Sequence, residues 1–162
     1  MVAAATPALA ALVAGGVPHE VVKFEHDSRE RSFGVEAVHA LTNAGGIAAE
    51  QILKTLIIAV PEGFAVAILP ASSKLSLKAA AAALGVAKAS MAEPAAAQRV
   101  TGYVVGAVSP FGQRARLPTV IDSGALMWDR IYCCAGRRGW DVAVAPDDLV
   151  RLTDAVTAAI QA

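Results

Sequence analysis

The strongest constraint on the fold is a pair of hydrophobic segments in the middle of the chain. Residues 52–60 read ILKTLIIAV, and both alternating sets of positions are apolar except at Lys54 and Thr55. A strand with two apolar faces is covered on both sides in a folded protein. The turn sequence PEG at 61–63 leads into a second hydrophobic segment at 64–70. We therefore expect a strand pair with other elements packed against both faces.

Capping signals define helices around this sheet. Thr6 followed by Pro7 is typical of a helix start, and Ser32 and Ser76 are the predicted caps of the second and third helices. The first helix has no Lys or Arg before it, so we expect an ordinary capped helix rather than a cleaved leader. We predict helices at Pro7–Ala14, 34–41, Leu77–Leu84, 92–100 and 147–160, and further strands at 20–24, 119–122, 131–134 and 140–145.

This irregular alternation of strands and helices, without internal repeats, is typical of an α+β domain with a mixed sheet. The length of 162 residues suits one domain with a full hydrophobic core. An apolar content of 56% with 17% charged residues argues against disorder. No uninterrupted apolar run reaches the length that a membrane span needs.

Charge is unevenly distributed along the chain. The formal net charge is zero, but residues 51–138 contain ten Lys or Arg against four acids, so this middle part carries +6 and the two ends together −6. A focused basic patch can bind a polyanion even when the whole protein is neutral. Solvated side chains on helix faces would give the same count, so the count alone does not decide.

Several common cofactor and metal signatures are absent from the sequence. Cys133 and Cys134 are adjacent, and neighbours on a strand point to opposite faces, which disfavours a shared metal or a disulfide. The histidines His19, His26 and His39 form no metal-ligand spacing and no triad pattern. No dinucleotide-binding or phosphate-loop motif is present. We expect no metal and no cofactor, and reduced thiols favour a cytoplasmic location.

The segment 101–118, TGYVVGAVSPFGQRARLP, combines a strand-like start, a tight turn and a charged tail. Its beginning, Tyr103 to Val105, is strand-like, and Gly106 interrupts it. A glycine in such a position often marks a bulge or a close approach of the backbone to another group. The sequence from Ser109 to Gly112 predicts a tight turn. The segment is therefore either a simple connection between strands or a stretch of backbone that lies directly against a ligand.

Four sets of residues are candidates for chemistry. Lys54 stands in a buried strand, where an unpaired ammonium is costly, so its head either reaches water or faces an anionic ligand. Asp141 can pair with Lys54, orient a ligand amine, or be an ordinary surface carboxylate. Arg137 and Arg138 lie in a turn that can hold phosphate or simply be solvated. Cys134 is either a buried small residue or a nucleophile, although no base stands near it in the sequence.

Eight short motifs spread over nearly the whole chain resemble the YbaK/EbsC family, most closely its bacterial Cys-tRNA(Pro) deacylases. The combination of the glycine-containing stretch 102–112 with the strand lysine Lys54 is the most specific part of the match. The motifs are Phe24-Glu25-His26-Asp27, Ser32-Phe33-Gly34, Leu53-Lys54-Thr55-Leu56, Met91-Ala92-Glu93-Pro94, Ala97-Gln98-Arg99, the segment 101–118, Ile121-Asp122 and Gly136-Arg137-Arg138-Gly139.

This resemblance implies one editing domain over residues 1–162, with a mixed, partly barrel-like sheet and helices packed around it. It implies a trans-editing enzyme that cleaves the ester of Cys-tRNA(Pro), a product of mischarging by prolyl-tRNA synthetase. Family enzymes are described as using no metal and no protein nucleophile. In these family enzymes the substrate thiol is described as attacking the ester carbonyl and releasing tRNA and a cyclic thiolactone, a lyase-like step whose biological outcome is deacylation. The implied partners are the acceptor end of aminoacyl-tRNA and prolyl-tRNA synthetase.

The resemblance also implies roles for individual residues. Lys54 neutralises the terminal phosphate or the ester region, Gly106 brings backbone groups to the aminoacyl carbonyl or amine, and Asp141 positions polar groups of the substrate. The implied substrate-binding residues are Phe24, Gly102, Ser109, Cys134, Arg137 and Arg138.

The chain departs from the family pattern at three places. Phe24 stands where a tyrosine is expected, Cys134-Ala135 stands where serine and glycine are expected, and the loop 43–50 is longer. These differences bear on the amino-acid specificity. The alternatives to a Cys-tRNA(Pro) deacylase are a deacylase for Ala-tRNA(Pro) or another small amino acid, a catalytically silent module that binds tRNA or a synthetase, and a hydrolase with a cysteine nucleophile.

Overall fold

A computed structural model of the chain describes residues 6–25, 33–43 and 45–162. The five helices within these ranges are α1 (Pro7–Ala14), α2 (Phe33–Asn43), α3 (Leu77–Leu84), α4 (Pro94–Thr101) and α5 (Pro146–Thr153). The eight strands are β1 (Glu20–Lys23), β2 (Leu53–Val60), β3 (Gly63–Pro70), β4 (Ser90–Met91), β5 (Thr119–Asp122), β6 (Ile131–Arg137), β7 (Trp140–Val144) and β8 (Val156–Ala158). Short 3₁₀ helices lie at Ala49–Gln51 and Ser123–Met127.

The strands form two open sheets. A mixed five-stranded sheet has the order β4-β2-β3-β5-β8, in which β3, β5 and β8 are parallel neighbours. An antiparallel three-stranded sheet has the order β1-β7-β6. Within the described ranges the sheets are joined at one isolated parallel bridge, Ile52 with Tyr132, rather than along a ladder. The α+β class with a mixed sheet is confirmed, but the sheets do not close into a barrel, so the partly barrel-like part of the prediction is corrected.

The central strand pair follows the hydrophobic pattern. β2 and β3 are antiparallel over their full lengths, with Lys54 opposite Leu69 and Thr55 opposite Ile68. Buried side chains from both faces of the pair enter two separate hydrophobic clusters, one containing Ile57 and the other Ile58. Since successive side chains of a strand point to opposite faces, this division is what a strand covered on both sides requires.

Capping side chains set the helix ends. The Thr6 hydroxyl accepts a hydrogen bond from the Leu9 N–H at 3.1 Å, and Ser76 accepts one from the Ala79 N–H at 3.1 Å. Gly85 ends α3 with a φ of 73°, in the left-handed region that glycine adopts without steric cost. The helices predicted at Pro7–Ala14 and Leu77–Leu84 are confirmed. The predicted cap Ser32 lies outside the described residues, as do His26 and Asp27 of the first family motif.

The end of the chain differs from the prediction of one helix over 147–160. α5 ends at Thr153, because Asp154 takes a left-handed conformation with φ 53°. The chain then forms β8, which pairs with β5 through Val156, Thr157 and Ala158. β-branched residues favour a strand when a free sheet edge is available, which the sequence periodicity did not reveal.

The strand-like run from Tyr103 to Val105 is also not a strand. The segment 102–118 contains no helix or strand. It lies between α4 and β5. No helix in the described part of the chain is long and apolar enough to cross a membrane.

Candidate active site

A cavity of about 350 Å³ lies where β2, α2, α4, the segment 102–118 and the β6–β7 hairpin meet. Most of its wall is apolar, and Leu53, Ile57 and Ala97 are among its buried lining residues. Seven of the nine residues predicted for the site line this cavity. They are Phe24, Lys54, Gly106, Cys134, Arg137, Arg138 and Asp141.

Lys54 enters the cavity from β2. Its Nζ donates a hydrogen bond of 2.5 Å to the Ser73 carbonyl, which belongs to the connection between β3 and α3. Burial lowers the pKa of the Lys54 ammonium below its ordinary value of 10.5. Among the described residues no carboxylate lies within ion-pair distance of Lys54, so the cation is not neutralised by Asp141 or another acid.

Gly106 lies at a turn in the segment 102–118. The Ala107 N–H donates to the Val104 carbonyl at 2.9 Å, and Gly106 between them has a φ of 85°. A positive φ at the third position of a turn is what a type II turn requires, and it favours glycine. The Arg138 guanidinium binds the Val105 carbonyl through Nε at 3.1 Å and through a terminal nitrogen at 2.6 Å. Arg138 therefore fixes this turn against the β6–β7 hairpin.

Other contacts hold the remainder of this segment. The buried Tyr103 hydroxyl donates to the Phe111 carbonyl at 2.5 Å, and burial raises the pKa of the Tyr103 phenol. A Cβ on Gly136 would lie 2.8 Å from the Tyr103 ring, and a Cβ on Gly112 would lie 2.3 Å from the Pro7 carbonyl oxygen. Glycine at both positions therefore lets the segment pack directly on β6 and on the start of α1.

Asp141 and Cys134 are neighbours across the β6–β7 ladder. Asp141 is only 6% exposed, and its carboxylate has no hydrogen bond or ion pair with any described residue. Burial raises the pKa of Asp141 to about 7. Burial and the adjacent Asp141 raise the pKa of the Cys134 thiol to about 12, although the Gly136 and Arg137 backbone groups oppose this shift. A thiol with such a pKa is protonated at neutral pH and is a poor nucleophile.

Phe24 and Arg137 lie at the edge of the same cavity. The Phe24 N–H donates to the Gly139 carbonyl at 2.7 Å, which holds the Phe24 backbone beside the hairpin. The Arg137 guanidinium lies 4.8 Å from the centroid of the Trp140 ring, a cation–π contact. Arg137 thus presents its charge from a fixed place at the cavity edge.

Gly102 and Ser109 are the two predicted site residues that do not line the cavity. Gly102 ends α4 with a φ of 81°. Ser109 is fully buried inside the segment, where its hydroxyl accepts from the Phe111 N–H at 3.2 Å. The structure gives both residues a conformational role in the segment that carries Gly106.

Gly102 instead borders a second, shallower groove of about 340 Å³, lined by Gln98, Arg99, Val104 and Arg114. Among the described residues neither arginine is in an ion pair, so this groove is electropositive. The chain from Val104 to Gly106 separates it from the cavity, since Val104 borders the groove and Gly106 borders the cavity.

Sequence reasoning missed two polar groups of the site. The Thr55 hydroxyl is buried, lines the cavity and has no hydrogen-bond partner among the described residues. Ser73 holds the Lys54 ammonium. Thr55 had a signal, because it and Lys54 are the polar interruptions of the apolar strand, whereas nothing local distinguished Ser73. No group of three or more His, Cys, Asp or Glu suited to a metal occurs in the described part of the chain.

The fold and the cavity together define a class of protein. Residues 34–152 match the family described as the aminoacyl-tRNA editing domain, and the chain belongs to this family. Editing domains of this kind act on aminoacyl-tRNA.

Individual relatives agree with this assignment. The chain is 34% identical over 110 residues to the Enterococcus faecalis (strain ATCC 700802 / V583) protein "Putative Cys-tRNA(Pro)/Cys-tRNA(Cys) deacylase EbsC", covering 67% of each chain. A crystal structure of "a putative trans-editing enzyme for prolyl tRNA synthetase" is similar with a TM-score of 0.81 and 24% identity, over 96% of this chain and 95% of that one. The crystal structure of "hypothetical protein APE2540" gives a TM-score of 0.79 at 24% identity, over 93% and 96%. At this identity the two structures establish a shared fold.

Proposed function

We propose that the protein is a trans-editing deacylase that removes cysteine from Cys-tRNA(Pro), and that residues 1–162 form one editing domain. The observation that carries the proposal is that Lys54 and Gly106 line the same cavity. It combines a cation on a covered strand with an exposed turn of backbone, beside a buried carboxylate. The name of the Enterococcus faecalis relative supports cysteine as the amino acid.

In this proposal the substrate enters with its charged groups facing the unpaired groups of the cavity. Lys54 binds the terminal phosphate or the ester region, because its ammonium has no carboxylate partner in the described part of the chain and can pair with an anion. Asp141 accepts a hydrogen bond from the α-amino group of the cysteinyl ester. Gly106 presents backbone to the ester carbonyl, since the Gly106 N–H donates to no described residue. Phe24 and Cys134 contact the amino-acid side chain.

The chemistry relies on the substrate rather than on a protein nucleophile. The thiol of the cysteinyl group attacks its own ester carbonyl carbon, the bond from that carbon to the ribose oxygen breaks, and the ribose oxygen takes the thiol proton. The products are tRNA with a free hydroxyl and a cysteine thiolactone. The raised pKa of Cys134 supports this route over attack by the protein. Preorganised dipoles and charges around the carbonyl are the contribution that the cavity can make.

Contacts with the rest of the tRNA come from arginines around the cavity. Arg137 lies at its edge, and Arg99 and Arg114 line the neighbouring groove. Such contacts neutralise phosphates and add affinity without sequence discrimination. We therefore propose that the choice of tRNA depends on prolyl-tRNA synthetase as a partner in the cytoplasm.

The test is a deacylation panel with tRNA(Pro) charged with cysteine, alanine or proline. We expect rapid loss of cysteine, slow loss of alanine and stable Pro-tRNA(Pro). Equal rates for cysteine and alanine would contradict the substrate-thiol step. No activity together with intact tRNA binding would favour a silent binding module.

Two variants test the roles of the residues. Lys54→Ala should lower the deacylation rate by about 100-fold or more, the cost of losing a preorganised electrostatic group, while the circular dichroism spectrum stays unchanged. Cys134→Ser is the contrasting variant, and it should keep most of the activity. A complete loss of activity in Cys134→Ser, with the fold intact, would instead indicate a cysteine nucleophile.

A further inference from the structure

The position of the Lys54 ammonium depends on a loop that is distant in sequence. A lysine side chain is long and flexible, and within the described part of the chain Lys54 makes one side-chain hydrogen bond, to the Ser73 carbonyl. The location of the charge in the cavity is therefore set by where the connection between β3 and α3 holds that carbonyl.

This connection is held by the residues that follow β8. The Ser76 N–H donates to the Ile160 carbonyl at 2.8 Å, and the Ala162 N–H donates to the Lys74 carbonyl at 2.8 Å. In addition to these backbone bonds, the Ser73 hydroxyl donates to Gln161 Oε1 at 2.8 Å. The side chain of Gln161 thus reaches the same residue whose carbonyl binds Lys54.

Asp122, at the end of β5, fixes Gln161 in turn. Asp122 is 3% exposed, and its Oδ1 accepts from the Ile160 N–H at 3.0 Å. Its Oδ2 accepts from Gln161 Nε2 at 2.9 Å. Both ends of the Gln161 amide are therefore used, one toward Asp122 and the other toward Ser73, which leaves the amide a single orientation.

We propose that Gln161 is a positioning residue for Lys54, acting through the hydrogen-bonded series Asp122–Gln161–Ser73–Lys54. Gln161 does not line the cavity, so it is placed to act on the aminoacyl end only through Lys54. This inference rests on the proposed function, in which Lys54 is the cation that binds the substrate. A displacement of reacting or binding groups by about 1 Å is enough to reduce a rate by about 100-fold.

The kinetic test compares Gln161→Ala, Ser73→Ala and the double variant with the wild type in deacylation of Cys-tRNA(Pro). We expect each single variant to lower kcat by about tenfold, because a displaced Lys54 ammonium stabilises the reacting ester less well. The double variant should be no worse than either single variant, since both remove the same link. In a Lys54→Met background, Gln161→Ala should leave the residual rate unchanged.

Gln51→Ala is the matched control. Gln51 also joins two separate segments, through hydrogen bonds with the Ala48 N–H at 2.8 Å and the Arg130 carbonyl at 2.9 Å, but it has no bond to Ser73. It should keep the wild-type kcat. Additive losses in the double variant, or a further loss caused by Gln161→Ala in the Lys54→Met background, would overturn the proposal.

A second readout does not need activity. The chain has five lysines, and the ¹³Cε signal that disappears in Lys54→Met belongs to Lys54. Gln161→Ala should move this signal and leave those of Lys23, Lys78 and Lys88 in place. An unmoved Lys54 signal refutes the positioning role. If the wild type fails to deacylate any tRNA while the signal does move, the proposed function is wrong and the positioning inference still stands.

Discussion

Replacing Asp141 with asparagine should make the protein more stable at alkaline pH. Burial raises the pKa of Asp141 from 3.8 to about 7, and its carboxylate has no partner among the described residues. Because the folded-state pKa lies above the unfolded one, the native state holds the proton more tightly, and this stability is lost as the pH rises toward 7. At about 1.4 kcal/mol per pKa unit, the loss between about pH 4 and pH 8 is about 4 kcal/mol.

The assay is urea denaturation of wild type and Asp141→Asn at about pH 4 and about pH 8. A neutral amide replaces a neutral carboxyl at the lower pH, so the two free energies of unfolding should then be similar. At the higher pH the variant should be more stable by up to about 4 kcal/mol, and it should have lost deacylation activity. An Asp141→Asn protein that is less stable than wild type at pH 8, or a difference independent of pH, would refute the reasoning.

Asp122→Asn is the matched control for this experiment. Asp122 is as buried as Asp141, but its oxygens accept three hydrogen bonds, from Gly124, Ile160 and Gln161. An asparagine there leaves at least one donor without an acceptor, and we expect a destabilisation of about 1–3 kcal/mol. The same substitution at two buried aspartates should therefore change stability in opposite directions.

Two further predictions concern the backbone turn and the second groove. Gly106→Ala should cost about 1–2 kcal/mol in stability because φ is positive, and it should reduce activity. Gly85→Ala, at a similar φ of 73° but outside the cavity lining, should show a similar cost with normal activity. Equal activity in both variants, measured alongside thermal denaturation, would remove Gly106 from the site. Replacing Arg99 and Arg114 together by alanine should weaken binding of all tRNAs alike and reduce the slope of log affinity against log salt by about 1.4, measured by titration at several salt concentrations. An unchanged slope would exclude the groove as a phosphate contact.

Elements with local signals were predictable from the sequence. α1 and α3 have a capping hydroxyl at the start and a glycine at the end, and both helices were predicted with their observed bounds. The bounds of the β2–β3 pair were predicted to within one residue at each end. A strand that is apolar on both faces indicates burial on both sides, so its sequence pattern was clear. Their signals lie within the elements themselves, as capping residues, ending glycines or an apolar pattern.

Elements that depend on distant partners were not predictable. β8 forms because β5 offers a parallel edge, and β5 lies more than thirty residues away. The segment 102–118 is held by the buried Tyr103 hydroxyl and by glycines packed against Pro7 and Tyr103. The alternation of apolar and polar residues within the segment does not reveal these contacts. The link from Lys54 to Ser73 is of the same kind. A strand pattern identifies the lysine, but the acceptor that fixes it comes from the folded chain.

Two ionisable groups of the cavity that form no ion pair with any described residue indicate what kind of ligand the cavity is built for. Lys54 and Asp141 carry opposite charges in the same apolar cavity, yet they are not paired with each other. Pairing them would recover part of the cost of burying both, so their separation costs stability unless a ligand supplies the missing partners. An aminoacyl-tRNA end supplies both, an ammonium on the amino acid and a phosphate on the nucleotide. A neutral ligand would leave both charges without a counter-charge. The separation of the two groups therefore favours a ligand that carries both a cation and an anion.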